Sequence, residues 1–502
     1  MQRMLDFSNI QKYRENNRIE AKKALGGLPR SIWETYSAFA NTLGGVILLG
    51  VEEYADKSLH PVNLPDPEGM ARDFWNAINN PSKASINILT DRNVQIVEIE
   101  GNRIIEITVP RAERGVKPVY IDDNPLTGSY RRNGEGDYRC TREEVQAMLR
   151  DAAAKTQDMI VLEAMDLDVF DYDSLHRYRN RMKNHRPGHV WEELSDVDFL
   201  YKLGAVGRGE NGQLHPTAAG LLMFGYEYEI VKEFPHYFLD YQERMDDTTR
   251  WTDRIVSTSG EWSGNIFDFY FRVYQRIAQD VKTPFKMKNG ERIDDTPAHG
   301  ALREALANCL INADYYGTRG LVIIKSKDEI TISNPGGFRI DINEARSGGV
   351  SDPRNGALIK MFNLINIGER AGSGIPNIYS VWHTQGWQEP TITESFAPER
   401  ITLTLSVGKK ATEKTDRKKA TEKSDRKKLT EKTRLQRERI VDYLTVHVSA
   451  SRSVLADLLG VKDTRAKEIL GNMISDEILD TDGIGRNTVY KLKEKAGSDG
   501  VR

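Results

Sequence analysis

Between Lys409 and Leu435 the chain repeats itself three times, as KKATEKTDR, KKATEKSDR and KKLTEKTRL. Such copies, without an aromatic residue and nearly without apolar ones, cannot enter a core. They bury too little surface to offset the entropy of ordering them. The 502 residues are therefore cut into a long N-terminal part and a short C-terminal one, joined by a linker over 408–435. At roughly 100 to 200 residues per domain, that length calls for two to four domains.

Charge divides at the same place. Residues 409–434 hold nine Lys and three Arg against three Glu and two Asp, a net +7, so with a formal −3 overall the rest of the chain carries −10. Near-neutrality is thus a sum of opposites, and a positive tether can track phosphates without being ordered, or can serve as a flexible tether alone. A composition of 39% hydrophobic and 29% charged residues excludes a wholly disordered chain. Two cysteines, Cys140 and Cys309, exclude a disulfide framework and imply a reducing compartment. The N-terminus lacks an apolar h-region, and the longest apolar run, Val46 to Leu49, is far short of a membrane span. The expectation is a cytoplasmic protein that does not engage membranes.

Local patterns predict an α+β multidomain chain. Over 10–150, RSIWETYSAFANT places Ile32, Trp33, Tyr36 and Phe39 on one helical face and ends at Gly44-Gly45. Strands are predicted at 46–51, Val94 to Ile99, Arg103 to Val109 and near Lys117 to Ile121. Residues 151–297 read as a connecting subdomain with helices at Asp173 to Met182, Val190 to Leu203 and within 215–225. Residues 298–407 alternate helix, two strands, glycine-rich loop, helix and strand, the order of a two-layer α/β sandwich. Beyond the linker, 436–495 reads as three short helices and a β-hairpin, the order of a winged helix-turn-helix.

The chemistry concentrates in ALREALANCLINADYY. Glu304, Asn308 and Asn312 recur at i, i+4 and i+8, so a helix aligns them on one face, where their oxygens can orient a water and a hard cation such as Mg²⁺. A solvated helix face carries the same spacing. The surroundings add to it: Asn334-Pro335-Gly336-Gly337 follows a strand, and Gly368 to Ile375, containing Gly372 and Gly374, precedes an apolar helix. Glycines at a helix start let backbone N–H groups approach phosphate. Between them SGGVSDPRNG, at 347–356, is a loop of the kind that closes as a lid.

The succession ALREALANCLINADYY, ISNPGGF, RNGALIKMFNLINIGERAGSGI and ITLTL resembles the GHKL ATPase superfamily, in its divergent RecG-like branch. The resemblance implies ATP and Mg²⁺ as cofactors. Glu304 would activate water, Asn308 would hold Mg²⁺, and Asn312 would contact the phosphates or the metal-bound water. Gly336, Gly337 and Asn334 would line the adenine end, with Gly368, Gly372 and Gly374 at the phosphates. Ser333-Asn334 stands where that superfamily has its adenine-reading aspartate.

In the first block, E-x4-E-x-K from Glu15 and Glu20 to Lys22, then SAFANTLGGVILLGVEE and GSYRRNGEGDYRCTREEV, resembles the Schlafen-type AlbA-like domain. That implies nucleic-acid contact, with Arg131, Arg132 and Arg139 as phosphate candidates. Some members use three acidic residues as a metal-dependent RNA nuclease site, for which Glu15, Glu20 and Glu52 or Glu53 would be the counterparts.

In the C-terminal block the second helix of a helix-turn-helix would bring Lys462, Thr464, Arg465 and Lys467 to a groove, with Arg486 and Asn487 at the wing tip. A winged helix that binds protein is the alternative. Taken together the sequence points to an ATP-binding regulator that contacts DNA rather than RNA, and the GHKL resemblance implies a homo-oligomer. An ATP-gated nuclease and a nucleotide-binding scaffold are the other readings.

Overall fold

The computed structural model describes all residues except 1–4, 6, 246–249, 280–286, 289–290, 293–295, 369–371, 397, 408–439, 442, 445–446, 448, 460, 462, 476–477, 483–487 and 494–502. The three linker repeats lie outside the described residues. The chain forms two compact units, 1–409 and 410–502. Its architecture is α+β.

The N-terminal region begins with a four-stranded sheet in the order Ile19–Lys22, Gly45–Leu49, Asn102–Val109, Val94–Ile99. The first pair is parallel and the others antiparallel. Gly45–Leu49 is buried along its whole length, which is why it reads as a continuous apolar run. The helix Ile32–Asn41 lays Ile32, Tyr36, Phe39 and Ala40 against this sheet, on the face its periodicity predicts.

Two predicted elements differ. The strand near Lys117 to Ile121 is reduced to one bridge, Tyr120 to Ser129, because Pro118 has no N–H to donate and the Val119 N–H is taken by Asn41 Oδ1 at 2.8 Å. The helix predicted over Val190 to Leu203 is only Asp196–Leu203. Ser195 caps it, accepting from the Asp198 N–H at 3.1 Å, and the preceding residues form turns.

A six-stranded sheet dominates the rest of the first unit, in the order Asp253–Val256, Leu239–Arg244, Leu321–Ser326, Glu329–Pro335, Glu399–Ser406, Thr391–Phe396. Only Leu239–Arg244 with Leu321–Ser326 is parallel. Two of these strands come from the stretch read as a connector, so residues 239–256 complete the sheet of 298–407. One hydrophobic core runs from Leu162 to Leu405 and takes in the helices Tyr172–His185, Ala218–Phe224, Ile266–Ala278, Pro297–Asn312, Gly356–Leu364 and Gly374–Gln385.

In the second unit a three-stranded sheet, Ala450–Ser451, Val489–Leu492, Leu479–Asp482, stands beside the helices Arg452–Leu459 and Asp463–Ser475. Leu455, Leu459, Ile469, Met473, Leu479 and Tyr490 form its small core with Ile440 and Leu444. Among the described residues no helix is long and apolar enough to cross a membrane.

Candidate functional site

The helix Pro297–Asn312 starts on Pro297 behind Thr296 and presents Glu304, Asn308 and Asn312 along one stripe while Leu302, Leu306 and Leu310 enter the core. The polar stripe faces a cavity of about 150 Å³. Asn308 Nδ2 donates to Glu304 Oε1 at 3.1 Å, which steadies the carboxylate and leaves the Asn308 carboxamide oxygen for another partner. Asn312 Nδ2 donates to the Asn308 carbonyl at 2.9 Å, and Asn312 Oδ1 accepts from the Arg354 N–H at 3.3 Å.

Gly374 opens the twelve-residue helix Gly374–Gln385 directly against these side chains. A Cβ there would collide with Glu304 Oε1 and stand 2.7 Å from Asn308 Nδ2, so only glycine brings the backbone this near. Gly372, at φ +65°, touches the Val350 backbone in the same way and lines the cavity as well. Ile332, Ile340, Ile378, Ile392 and Leu403 give the same cavity an aliphatic lining.

Of the nucleotide-site residues expected from sequence, Glu304, Asn308, Asn312, Asn334, Gly337, Gly372 and Gly374 line this one cavity. Gly336 does not. At φ +94° it turns the strand end, packed against the Arg354 guanidinium. Gly368 stands beside Glu304 without lining the cavity. Asn334 is buried, with Nδ2 toward the carbonyls of Asn312 at 3.5 Å and Pro335 at 3.4 Å.

Sequence reasoning missed the basic wall. Arg354 is buried, donates to the Asn312 carbonyl at 3.1 Å and the Gly337 carbonyl at 2.9 Å, and is ion-paired with Asp151. Burial works against its charge, yet Asp151, Asp314 and Glu399 hold its pKa above the ordinary value. Arg339 donates to the Pro353 carbonyl at 3.0 Å, and burial pulls its pKa down. The signal was in Asp352-Pro353-Arg354-Asn355, inside the segment read only as a loop.

That wall is tied to the N-terminal region. Arg111 donates to both oxygens of Glu394, at 2.5 and 2.9 Å, and to the Phe338 carbonyl at 2.6 Å. Arg114 pairs with Asp352 and donates to the carbonyls of Asp151 and Ala153 at 2.8 and 3.2 Å.

Among the N-terminal acidic residues, Glu15, Glu20 and Glu53 are neighbours and Glu52 is not one of the group. The Glu15 pKa is raised by burial and then by the charges of Glu20 and Glu53, against a hydrogen bond from the Ala21 N–H. Glu20 is paired with Lys22 at 2.8 Å and Arg132 at 2.8 Å, while Glu52 reaches away to Lys23 at 2.9 Å. Among the described residues no group of three or more His, Cys, Asp or Glu is arranged to hold a metal ion.

Arg132 is a correction to the expected phosphate contacts. Its side chain is 1% exposed, joined to Glu20 and Asp137 and donating to the carbonyls of Asn16 and Ile19, so it is held inside the fold and away from a nucleic acid at the surface. Arg131 is part-buried beside Glu144, and Arg139 is exposed. In the second unit Lys467 is exposed on its helix. Lys462, Arg486 and Asn487 lie outside the described residues, and only the backbone of Arg465 is described.

Fold and cavity define a multidomain α+β protein with a pocket lined by both polar and aliphatic side chains. Comparison with known proteins adds the families. Residues 15–141 match the model "Schlafen, AlbA_2", and residues 321–405 match "Putative ATP-dependent DNA helicase recG C-terminal". Residues 146–240 match a domain of unknown function. The two matches cover separate stretches of the chain, and the helix holding Glu304 precedes the second. The chain is similar to the solved structure of the DIP2311 protein from Corynebacterium diphtheriae, at 16% identity over 95% of this chain and 92% of that one, with a TM-score of 0.40. It is also similar to the N-terminal domain of a "Putative ATP-dependent DNA Helicase RecG-related Protein" from Nitrosomonas europaea. That match has 32% identity over 27% of this chain and 92% of that one, with a TM-score of 0.22. No curated protein matches the chain.

Proposed function

We propose that the first cavity binds ATP with Mg²⁺, and that the protein is a DNA-binding regulator whose nucleotide state alters its hold on DNA. One observation carries the reading: Glu304, Asn308 and Asn312 meet Gly372 and Gly374 around a single cavity that aliphatic side chains also line. The donor set fits the cation, since carboxylate and carboxamide oxygens suit Mg²⁺. Asn308 would hold it through its free oxygen, and the ion would neutralise phosphate charge. Glu304, steadied by Asn308, would accept a proton from water in this reading. The helix Gly374–Gln385 begins beside Glu304 and Asn308, and a helix N-terminus favours phosphate. Arg354 ties together the Asn312 and Gly337 carbonyls, which in this reading flank the nucleotide.

The Schlafen AlbA_2 match and the RecG-like match support a nucleic-acid role, and the Arg111 and Arg114 contacts give the N-terminal region a grip on the pocket wall. The second unit serves in this reading as a winged helix for duplex DNA, and the whole works as a homo-oligomer in the cytoplasm. Thermal shift tests the pocket. At ATP and Mg²⁺ about 100-fold above the dissociation constant, binding adds roughly 2.7 kcal/mol of stability, and Asn308→Ala removes the gain. No shift in the parent protein overturns the nucleotide reading.

A further inference from the structure

A second cavity, of about 50 Å³, lies where the N-terminal region meets the wall of the first. At roughly 10 to 15 Å³ per water it has room for about four waters, the size of a phosphate group and far below that of a nucleoside. Five cations line it: Arg111, Arg114, Lys117, Arg131 and Arg339. Three of these face carboxylates, Arg111 at Glu394 and Arg114 with Arg339 at Asp352, although Arg339 Nε stays 3.6 Å from Asp352 and is buried without a hydrogen-bond partner.

The other two have capacity to spare. Lys117 Nζ donates to the Asn41 carbonyl at 2.9 Å and forms no ion pair among the described residues. Arg131 Nε stands 2.8 Å from a Glu144 oxygen as an ion pair, but both its Nε and its Nη1 are buried without a hydrogen-bond partner. A buried guanidinium nitrogen left without an acceptor is costly, and a small anion supplies the acceptor.

We infer that this cavity is a site for a phosphate-sized anion held by Lys117 and Arg131, distinct from the nucleotide pocket and independent of it. Free phosphate and the terminal phosphate monoester of a nucleic acid share that chemistry.

The charges around the site couple occupancy to protons. Burial, then Arg111, pushes Lys117 down to about 7, against Glu394, Glu399 and Asp151. Glu399, on the opposite wall, is pushed up to about 6 by burial, with Asp151 and Asp314 raising it and Arg354 and Lys117 opposing. An added anion favours the ammonium over the amine and the carboxylic acid over the carboxylate. Binding therefore takes up protons and tightens as pH falls from 8 to 6.

Sulfate is the cleaner probe, because it remains a dianion across that range. Calorimetric titration of the full chain with sulfate, and in parallel with inorganic phosphate, is expected to show saturable binding at least tenfold tighter at pH 6 than at pH 8. Lys117→Gln and Arg131→Gln should each weaken it tenfold or more, while Asn308→Ala, in the other cavity, should leave it in place. Absence of saturable binding, or binding indifferent to both substitutions or to pH, overturns the site. Two variants on different elements guard against a single misfolded one. A short oligonucleotide with a 5′-phosphate, compared with its 5′-hydroxyl counterpart, assigns the source. Tighter binding of the phosphorylated strand, lost in Lys117→Gln, points to nucleic-acid ends, and equal binding with sulfate still bound points to a free anion.

Discussion

Arg132 shows how one side chain can carry opposite roles in sequence and in space. In Tyr130-Arg131-Arg132-Asn133 two adjacent arginines look alike, yet strand alternation sends Arg132 inward to Glu20 and Asp137 while Arg131 lines a cavity. Removing a partner from a buried ion pair strands the remaining charges. Arg132→Ala is therefore expected to cost about 3 kcal/mol, read as a lower urea midpoint, whereas an arginine spent on solvent would cost almost nothing. Gly336 belongs to the same scale. With φ +94° and the Arg354 guanidinium 2.8 Å from where a Cβ would stand, Gly336→Ala should destabilise by about 1 to 3 kcal/mol, seen as a lower melting temperature. Glu304, Asn308 and Asn312 were legible because helical spacing alone aligns them. Arg354 and Lys117 were not legible as a pair with their partners, since Asp151 and Asn41 lie far off along the chain.

At the scale of elements, caps written locally were readable and caps supplied from afar were not. Thr217 before Ala218–Phe224 and Thr141 before Arg142–Ala152 stand where N-caps are expected. The helix Gly356–Leu364 has no local side-chain cap. Asp158 Oδ2 instead accepts from the N–H groups of Ala357 at 2.7 Å and Leu358 at 3.0 Å, while Thr156 accepts from Gly356 at 3.3 Å. Asp158→Ala thus unties a helix about 200 positions away, at a cost of about 2 kcal/mol. The check is urea unfolding, with the loss largely restored by Asp158→Asn. Nothing in the sequence near either residue announces that tie. The strand expected near Lys117 failed for a local reason, the missing donor of Pro118, and the overlong helix at Val190 failed because Ser195 is the stronger start signal.

Across the whole molecule, the charge split seen in the linker coincides with the division into 1–409 and 410–502. If the +7 segment and the second unit hold duplex DNA, deleting 409–502 should raise the dissociation constant at least tenfold and flatten its dependence on salt, since released counterions scale with phosphate contacts. Fluorescence anisotropy across a salt series reads both, and an unchanged slope removes the second unit from DNA binding. The sequence by itself determined the α+β class, the three-residue polar face, the glycine boxes and the break at the repeats. Each of these follows from composition or from periodicity within a few turns of chain. Only the tertiary structure decided that residues 239–256 complete the sheet of the pocket, that Arg111 and Arg114 grip its wall, and that Lys117 and Glu399 share a second cavity. Those depend on burial and on charges brought together over hundreds of residues, and a linear pattern carries no record of which distant side chain will supply the partner.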